Sequence, residues 1–528
     1  MRGLRLTFGS AGIAALLCHS AAAGAEPGLG LRLGAPVPHE WTPADEEPRS
    51  PHHVRAFLQM GAGLALGTGG YWLLMNRNVA DWDNPRPMSR FDGSAWVLDN
   101  NSIGVNFLGH PLMGGVAHSL ARGNHQSVVG AFGYSFLTSF FWEFLIEFKE
   151  KVSVNDVLVT PGAGLPLGEF WYKLGLYLDT GHHDSLAWDV ARWTLGVPAA
   201  MDRKLDGRAA PRVVTRDALG FSAEIWHQFS VRYGAVEVET PRVSPYARFE
   251  VGVAGRLVTL PGYGKPSAFG RAFWTAEVST LTLETEASRY GSGLRVAADT
   301  ILIGYHAQRF ARVGTGLRGA SLTLGTSLGY EYLRSSANRY ASVESALAQP
   351  APKLSYHAPN RREQYGALQL PGFAADFRWL AASAAFEGSL RVQPSFAGLG
   401  AASFYEWAAS NLAERSKHIL HRQGYFYGWG GVANVGAKLS LGPLRAGFEL
   451  MYGVYRSQDG LDRHPEQLTV DVPAQGDVLR YTGALGIAPT PNASVAFEMG
   501  VRRFRSNVGG FELTARAVQR GINASWVF

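Results

Sequence analysis

The chain has 528 residues, among them 63 glycines, with 12% aromatic and only 17% charged residues. So aromatic a composition excludes a disordered chain, and a mean hydropathy of -0.05 is too low for a bundle of apolar spans of ~20 residues each. The formal net charge of +6 comes without the Lys/Arg block that grips nucleic acid, so no nucleic-acid partner is expected.

At the start, Arg2 and Arg5 precede an apolar stretch from Ala11 to Leu17 and the small-residue run Ala23-Gly24-Ala25. This is the pattern of a secretory signal over residues 1–25, cleaved after Ala25. Removal takes away both arginines, lowering the net charge from +6 to +4, and also Cys18, the one cysteine. The exported chain then has no disulfide and no thiolate ligand. Residues 26–53 carry six prolines and the run Asp45-Glu46-Glu47, and read as a flexible periplasmic leader.

Residues 54–210 read as a helical segment, either a plug inside the barrel that follows or a periplasmic segment. Val54 to Met75 is apolar and interrupted by glycines, which suits a closely packed helix better than a strand pair. Val128 to Phe148 is also apolar, but only 15 residues run from Val128 to Trp142 before Glu143, so a buried helix is expected rather than a span. Gly162 and Gly164 fall in a Pro/Gly stretch read as a loop, and one amphipathic helix is expected from about Ser185 to Lys204.

From about residue 218 to 528 the period changes to two. Phe249, Val251, Val253 and Leu257 alternate with Arg248, Glu250, Gly252 and Arg256; Leu444, Ala446, Phe448 and Leu450 alternate with Arg445, Gly447 and Glu449. One face of each strand is oily and the other wet. Gly442-Pro443 reads as a tight hairpin turn, whereas Ser335–Gln364 and Ser457–Gln467 are long polar links. Runs of about 10 to 16 residues exceed the 5 or 6 of soluble sheets. Together these features predict an all-β membrane protein, an antiparallel transmembrane β-barrel of about 12 strands with an N-terminal α-helical segment. The chain ends Ile522, Ala524, Trp526, Phe528 at alternate positions. Trp526 and Phe528 resemble the terminal signal that outer-membrane assembly machinery reads, so that machinery and outer-membrane lipids are the expected partners, and the bacterial outer membrane the expected location.

The helical segment holds the densest polar features: Asn106, His110-Pro111, Gly114, Ala121-Arg122, Ser139, Trp142-Glu143, Glu147, Asn155-Asp156 and Gly168-Glu169. Over about residues 96–170 this set resembles the bacterial family called domain of unknown function 3943. The resemblance implies an envelope protein of unassigned biochemistry.

Taken by their chemistry, His118 and Arg122 share a helix face, as do Ser139, Glu143 and Glu147. Antiparallel pairing of the two helices would bring Arg122 toward one of those carboxylates. His110, Arg122, Ser139, Glu143, Glu147, Asn155, Asp156 and Glu169 are thus the candidate site. They form either a buried polar network or a metal or acid–base site acting on a lipid or glycan. No zinc or nucleophile-elbow motif is present, and His182-His183-Asp184 reads as a helix cap rather than a metal site. No metal, cofactor or catalytic residue is assigned. The expected role is a barrel with a helical plug, structural or channel-forming; the rival is a lipid- or lipopolysaccharide-modifying hydrolase using the His/Glu/Asp cluster.

Overall fold

The computed structural model describes residues 50–74, 85–98, 101–180, 186–207, 225–240, 243–289, 291–314, 316–335, 364–400, 403, 425–457 and 472–527. The expected signal, most of the leader, His182-His183-Asp184, the polar links after Ser335 and Ser457 and Phe528 lie outside these residues.

Twelve long strands close on themselves. They are β3 (Trp226–Thr240), β4 (Val243–Val258), β6 (Val278–Ser288), β7 (Gly291–Val313), β8 (Gly316–Arg334), β9 (Gln364–Leu380), β10 (Ala384–Gly400), β11 (Tyr425–Leu441), β12 (Leu444–Arg456), β13 (Ala474–Ile487), β14 (Ala493–Val508) and β15 (Phe511–Val527). Each pairs antiparallel with the next, and the ring closes where β15 meets β3, with Trp526 opposite Val231. A short strand, β5 (Ser267–Phe273), continues the wall beside β7 beyond the end of β6. The protein is therefore a closed antiparallel barrel, which leaves almost no strand edge unpaired. The predicted turn at Gly442-Pro443 is present, with Gly442 at φ +55° where a side chain would be strained. The links 335–363, 401–424 and 457–473 all leave the rim opposite the C-terminus.

Alternation sorts the side chains. Arg232, Glu250, Glu284, Arg295, Arg480 and Glu498 come from six strands yet line one cavity of about 40 Å³, so their face of the wall is the bore. Phe249, Phe448, Leu485 and Phe497 stand at the opposite parity and are exposed on the outside.

The helices contradict the plug expectation. They are α1 (His53–Leu74), α2 (Pro87–Phe91), α3 (His110–Gly123, preceded by a π-helical turn at Val105–Gly109), α4 (Val128–Phe141, continued by a π-helical turn at Trp142–Ile146), α5 (Val154–Thr180), α6 (Leu186–Leu195) and α7 (Val197–Leu205). A two-residue parallel pairing of β1 (Trp96–Val97) with β2 (Val152–Ser153) joins the segments before α3 and α5. Where helices touch the barrel they touch outward residues. Phe107 packs on Phe396 and Tyr427, and Tyr330 donates its hydroxyl hydrogen to the Phe107 carbonyl at 2.5 Å. Tyr330 is the neighbour of Glu331, which points into the bore, so it points away from it. Tyr177 stacks near His227 and Phe229, the outward residues of β3. The helical segment therefore leans on the outside of the wall, and the bore is filled by the barrel itself.

Three other expectations change. The Gly162–Gly164 stretch is not a loop: α5 runs unbroken through Pro161 and Pro166, because burial against both the wall and α3 outweighs local propensity. The amphipathic stretch is two helices, α6 and α7, divided at Gly196. The Val128–Phe148 helix is not a buried one: only 22% of its apolar span is buried, since Glu143 turns inward and leaves the outer side oily.

Candidate functional site

Two polar systems stand out, one in the bore and one in the seam between helices and wall. The bore is crossed by a chain of charges. Arg480 lies 3.1 Å from Glu331, Glu331 2.7 Å from Arg295, Arg295 3.1 Å from Glu284, Glu284 3.2 Å from Arg232, and Arg232 3.0 Å from Glu498. Arg480 on β13 and Glu331 on β8 are five strands apart in a ring of twelve, so this pair reaches from one wall almost to the opposite one. A second tier joins Arg391 to Asp299 and Asp376 at 2.7 Å each, and Asp376 to Arg256 at 2.9 Å.

Toward the rim where the chain ends, the loop between β4 and β5 folds inward. Gly262 and Gly264 take positive φ there, the conformation that glycine adopts without strain. Their backbone wraps the side chain of Gln308, which donates to the Gly262 and Lys265 carbonyls at 2.9 Å and accepts from the Gly264 N–H at 3.0 Å. Tyr263 packs against His306 and Trp226. At the other rim, the Tyr365 and Tyr455 hydroxyls meet at 2.6 Å. Side chains and one loop thus close the bore at three levels, and alternation alone could not have announced the loop.

In the seam, α3 and α5 run parallel with almost no gap. A Cβ on Gly114 would strike the Thr160 carbonyl, and one on Gly168 would lie 2.8 Å from the Gly115 oxygen. Small residues at such spacing let helix backbones touch. This register places the fully buried Glu169 carboxylate 2.9 Å from His118 Nε2 and 2.6 Å from Arg122 Nε. Lys173, one turn on, lies 3.9 Å from the same carboxylate and donates to Ser279 Oγ at 2.8 Å and to the Ala276 carbonyl, tying α5 to the outer wall. Arg122 also lies over the Tyr172 ring at 4.8 Å.

The other candidate residues gather elsewhere, near the rim of the long links. His110 Nε2 is 3.5 Å from Asp156. Asn155 donates to Asp156 at 3.0 Å, and Ser139 Oγ donates to the Asp156 carbonyl at 3.0 Å. Glu143 accepts the Ser153 N–H at 3.0 Å, while Ser153 Oγ accepts the Asp156 N–H at 3.2 Å, capping α5. Glu147 accepts the Trp142 indole N–H at 2.8 Å. Arg90 donates to the carbonyls of Glu143 and Glu147 at 2.7 Å each, a cation at a helix C-terminus where the dipole favours it. The eight candidates therefore form two clusters, and Arg122 meets Glu169 rather than Glu143 or Glu147.

Sequence reasoning missed Lys173 and Arg90, whose partners are far away in the chain. It also missed His52, His125 and Asp206, whose ligand atoms lie within 4.8 Å of one another and could hold a metal ion. Arg55 already pairs with Asp206 at 2.5 Å and with Asp202, however, so a fixed cation occupies this corner.

This geometry belongs to a region with known relatives. A family model described as Domain of unknown function (DUF3943) matches residues 95–196. The matched stretch takes in α3 to α6, so the likeness is confined to the helical segment. Of the residues that carry the resemblance, Gly114 and Gly168 close the α3–α5 seam, Arg122 and Glu169 pair across it, and Asn106 hydrogen-bonds Tyr427 of the wall. No curated protein matches the chain. Among solved structures, an outer membrane channel from Pseudomonas putida F1 is 9% identical, with 57% of this chain and 95% of that one covered, at a TM-score of 0.21. The translocator domain of the autotransporter NalP from Neisseria meningitidis is 11% identical, covering 62% and 94% at 0.19. The toluene transporter TodX of P. putida is 8% identical, covering 58% and 90% at 0.18. The barrel assignment for this chain rests on its own closed ladder of pairings.

Proposed function

We propose that the protein is an outer-membrane channel whose bore is held shut by its own ionic belt, with the DUF3943 helices bracing the wall from outside. The observation that carries this reading is the Arg480–Glu331 pair reaching across the bore. Buried ion pairs contribute little net stability, and neighbouring strands are already joined by their backbone ladder, so a pair that spans the bore is not needed to hold the wall together. Charge pairs that bridge opposite walls instead form a closure that opens when the long side chains part and each charge is hydrated at its own wall. An apolar outer wall, long links at one rim and both the last helices and the C-terminus at the other suit a barrel assembled from the periplasm. The hydrolase reading draws no support from the seam, where Glu169 and His118 are sealed with 0% exposure.

Planar-bilayer conductance of the full-length protein tests this. Wild-type protein should show rare openings, Arg480→Glu should raise their frequency at least tenfold, and the double change Arg480→Glu with Glu331→Arg should restore closure. Silence in all three, with the barrels shown folded by their heat-modifiable gel mobility, would contradict a channel.

A further inference from the structure

We infer that the helical segment is a membrane-embedded annex to the barrel, with α1 and α4 facing the hydrocarbon of the bilayer that surrounds the rest of the wall. The inference rests on the membrane reading of the barrel and goes beyond it in assigning lipid contact to helices.

The first observation is direction. α1 is anchored at its start to the turn after α3 and to α7, where the His52 N–H donates to the Asn124 carbonyl at 3.0 Å and Arg55 pairs with Asp206. It ends beside Trp142 and Glu150, where Tyr71 hydrogen-bonds the Glu150 carboxylate. α5 runs the other way, from Asp156 near the long-link rim to Tyr177 beside His227, near the C-terminal rim. The helices therefore stand along the wall from rim to rim: α1 and α4 in one sense, α3 and α5 in the other.

Length agrees. The 22 residues of α1 and the 19 of Val128–Ile146, the one helix among the described residues both long and apolar enough to cross a membrane, correspond to about 33 and 28 Å at 1.5 Å per residue, close to the ~30 Å hydrocarbon thickness.

Surface chemistry decides the occupant. The outer faces show Leu66 and Val129 at 80% exposure and Leu73 at 82%, with Phe57, Leu58, Leu137 and Leu145 also exposed, a gathering of large apolar side chains that points to an apolar surrounding. Polar groups within these lengths turn inward or back on their own helix. Glu143 is 1% exposed, Gln59 accepts from Asn124 at 2.5 Å, and Thr68 and Thr138 donate to the carbonyls four residues earlier at 2.7 and 2.9 Å. Hydroxyls satisfied in this way suit a helix in hydrocarbon. At the upper end Trp72 stacks on Phe148 with Lys149 over its ring at 5.3 Å, the aromatic and lysine pairing of a membrane interface. The helices also cover wall whose uncovered remainder, at Phe448, Leu485 and Phe497, bears the same oily character. Lipid that wets the bare wall meets the annex with no polar gap between them.

Single-cysteine variants Leu66→Cys, Val129→Cys and Phe497→Cys, in full-length protein reconstituted in phosphatidylcholine vesicles and labelled with an environment-sensitive fluorophore, test the inference. Quenching by brominated lipid at Leu66 and Val129 to within about twofold of Phe497, with little quenching by iodide, supports it. Iodide quenching at the two helix positions with lipid quenching at Phe497 overturns the annex and leaves the barrel reading intact. Shielding of the helix positions from both quenchers means that protein, such as a second copy, covers them, and also overturns it. Iodide quenching at all three positions defeats the membrane reading on which it rests.

Discussion

The outer wall of the barrel has two halves built by one rule and finished differently. Around β12 to β15 the outward residues Phe448, Leu485, Phe497 and Met499 are large, apolar and exposed. Toward the long-link ends of β8 to β11 the outward residues Tyr330, Tyr332, Phe396 and Tyr427 are equally large but almost fully buried under helices. The difference lies at the contact points. On the covered side a Cβ at Gly366 would collide with Phe107, one at Gly398 would lie 2.6 Å from its ring, and one at Gly255 would lie 2.7 Å from Phe170. Glycines there open sockets for helix side chains, and wall hydroxyls add specific partners: Asn106 donates to Tyr427 at 2.5 Å. A wall meeting fluid lipid needs only oil, whereas a wall meeting another part of its own chain needs shape and hydrogen bonds as well.

The comparison is most exposed to failure at Glu169. If the covered half is held by specific contacts, Glu169→Ala leaves Arg122, His118 and Lys173 without their shared carboxylate, and the helical segment should lose about 3–5 kcal/mol. Limited proteolysis should then cut between residues 101 and 205 while the barrel keeps its heat-modifiable mobility. Loss of the barrel at the same time would mean that the two parts fold as one unit.

Strand number, strand faces and the hairpin at Gly442 were legible because a wall that is wet inside and oily outside must alternate. What covers the oily side was not, because Tyr330 under a helix and Phe497 under lipid obey the same period. The helices misled in a related way. Counting Glu143 against the Val128 helix treated position along the chain as exposure, yet the carboxylate faces inward to the Ser153 N–H. Pro161, Gly162 and Pro166 looked like a loop because local propensity is visible in the sequence and burial on both flanks is not. His110, Asp156 and Glu169 were found as a polar set, but their division into two clusters depends on a parallel α3–α5 register that spacing does not encode. Lys173 could be noticed only as a lysine one turn beyond Glu169 in an otherwise apolar helix.

A smaller effect sharpens the comparison on its bare side. Leu485→Arg should cost about 2–4 kcal/mol if it sits near the bilayer midplane, and Leu66→Arg on α1 should cost a similar amount if the annex faces lipid. In water such a surface change would stay within about 0.5 kcal/mol. Glu449→Gln, which alters a residue lining the bore cavity, should cost well under either arginine substitution. All three are read from urea unfolding in lipid vesicles, and a negligible penalty at Leu66 beside a large one at Leu485 would separate the two surfaces.

Placement of the helices outside the wall can be measured directly at Gly162 on α5. A Cβ built there lies 2.7 Å from Leu368 Cδ2 on β9, and Leu368 faces away from the bore while its neighbour Ala367, paired with Glu331, faces into it. Oxidising the double variant Gly162→Cys with Leu368→Cys in native membranes should give an intramolecular crosslink, seen as a mobility shift reversed by reductant. The pair Gly162→Cys with Ala367→Cys should give none. A crosslink to position 367 and not to 368 would put α5 inside the bore and contradict the arrangement.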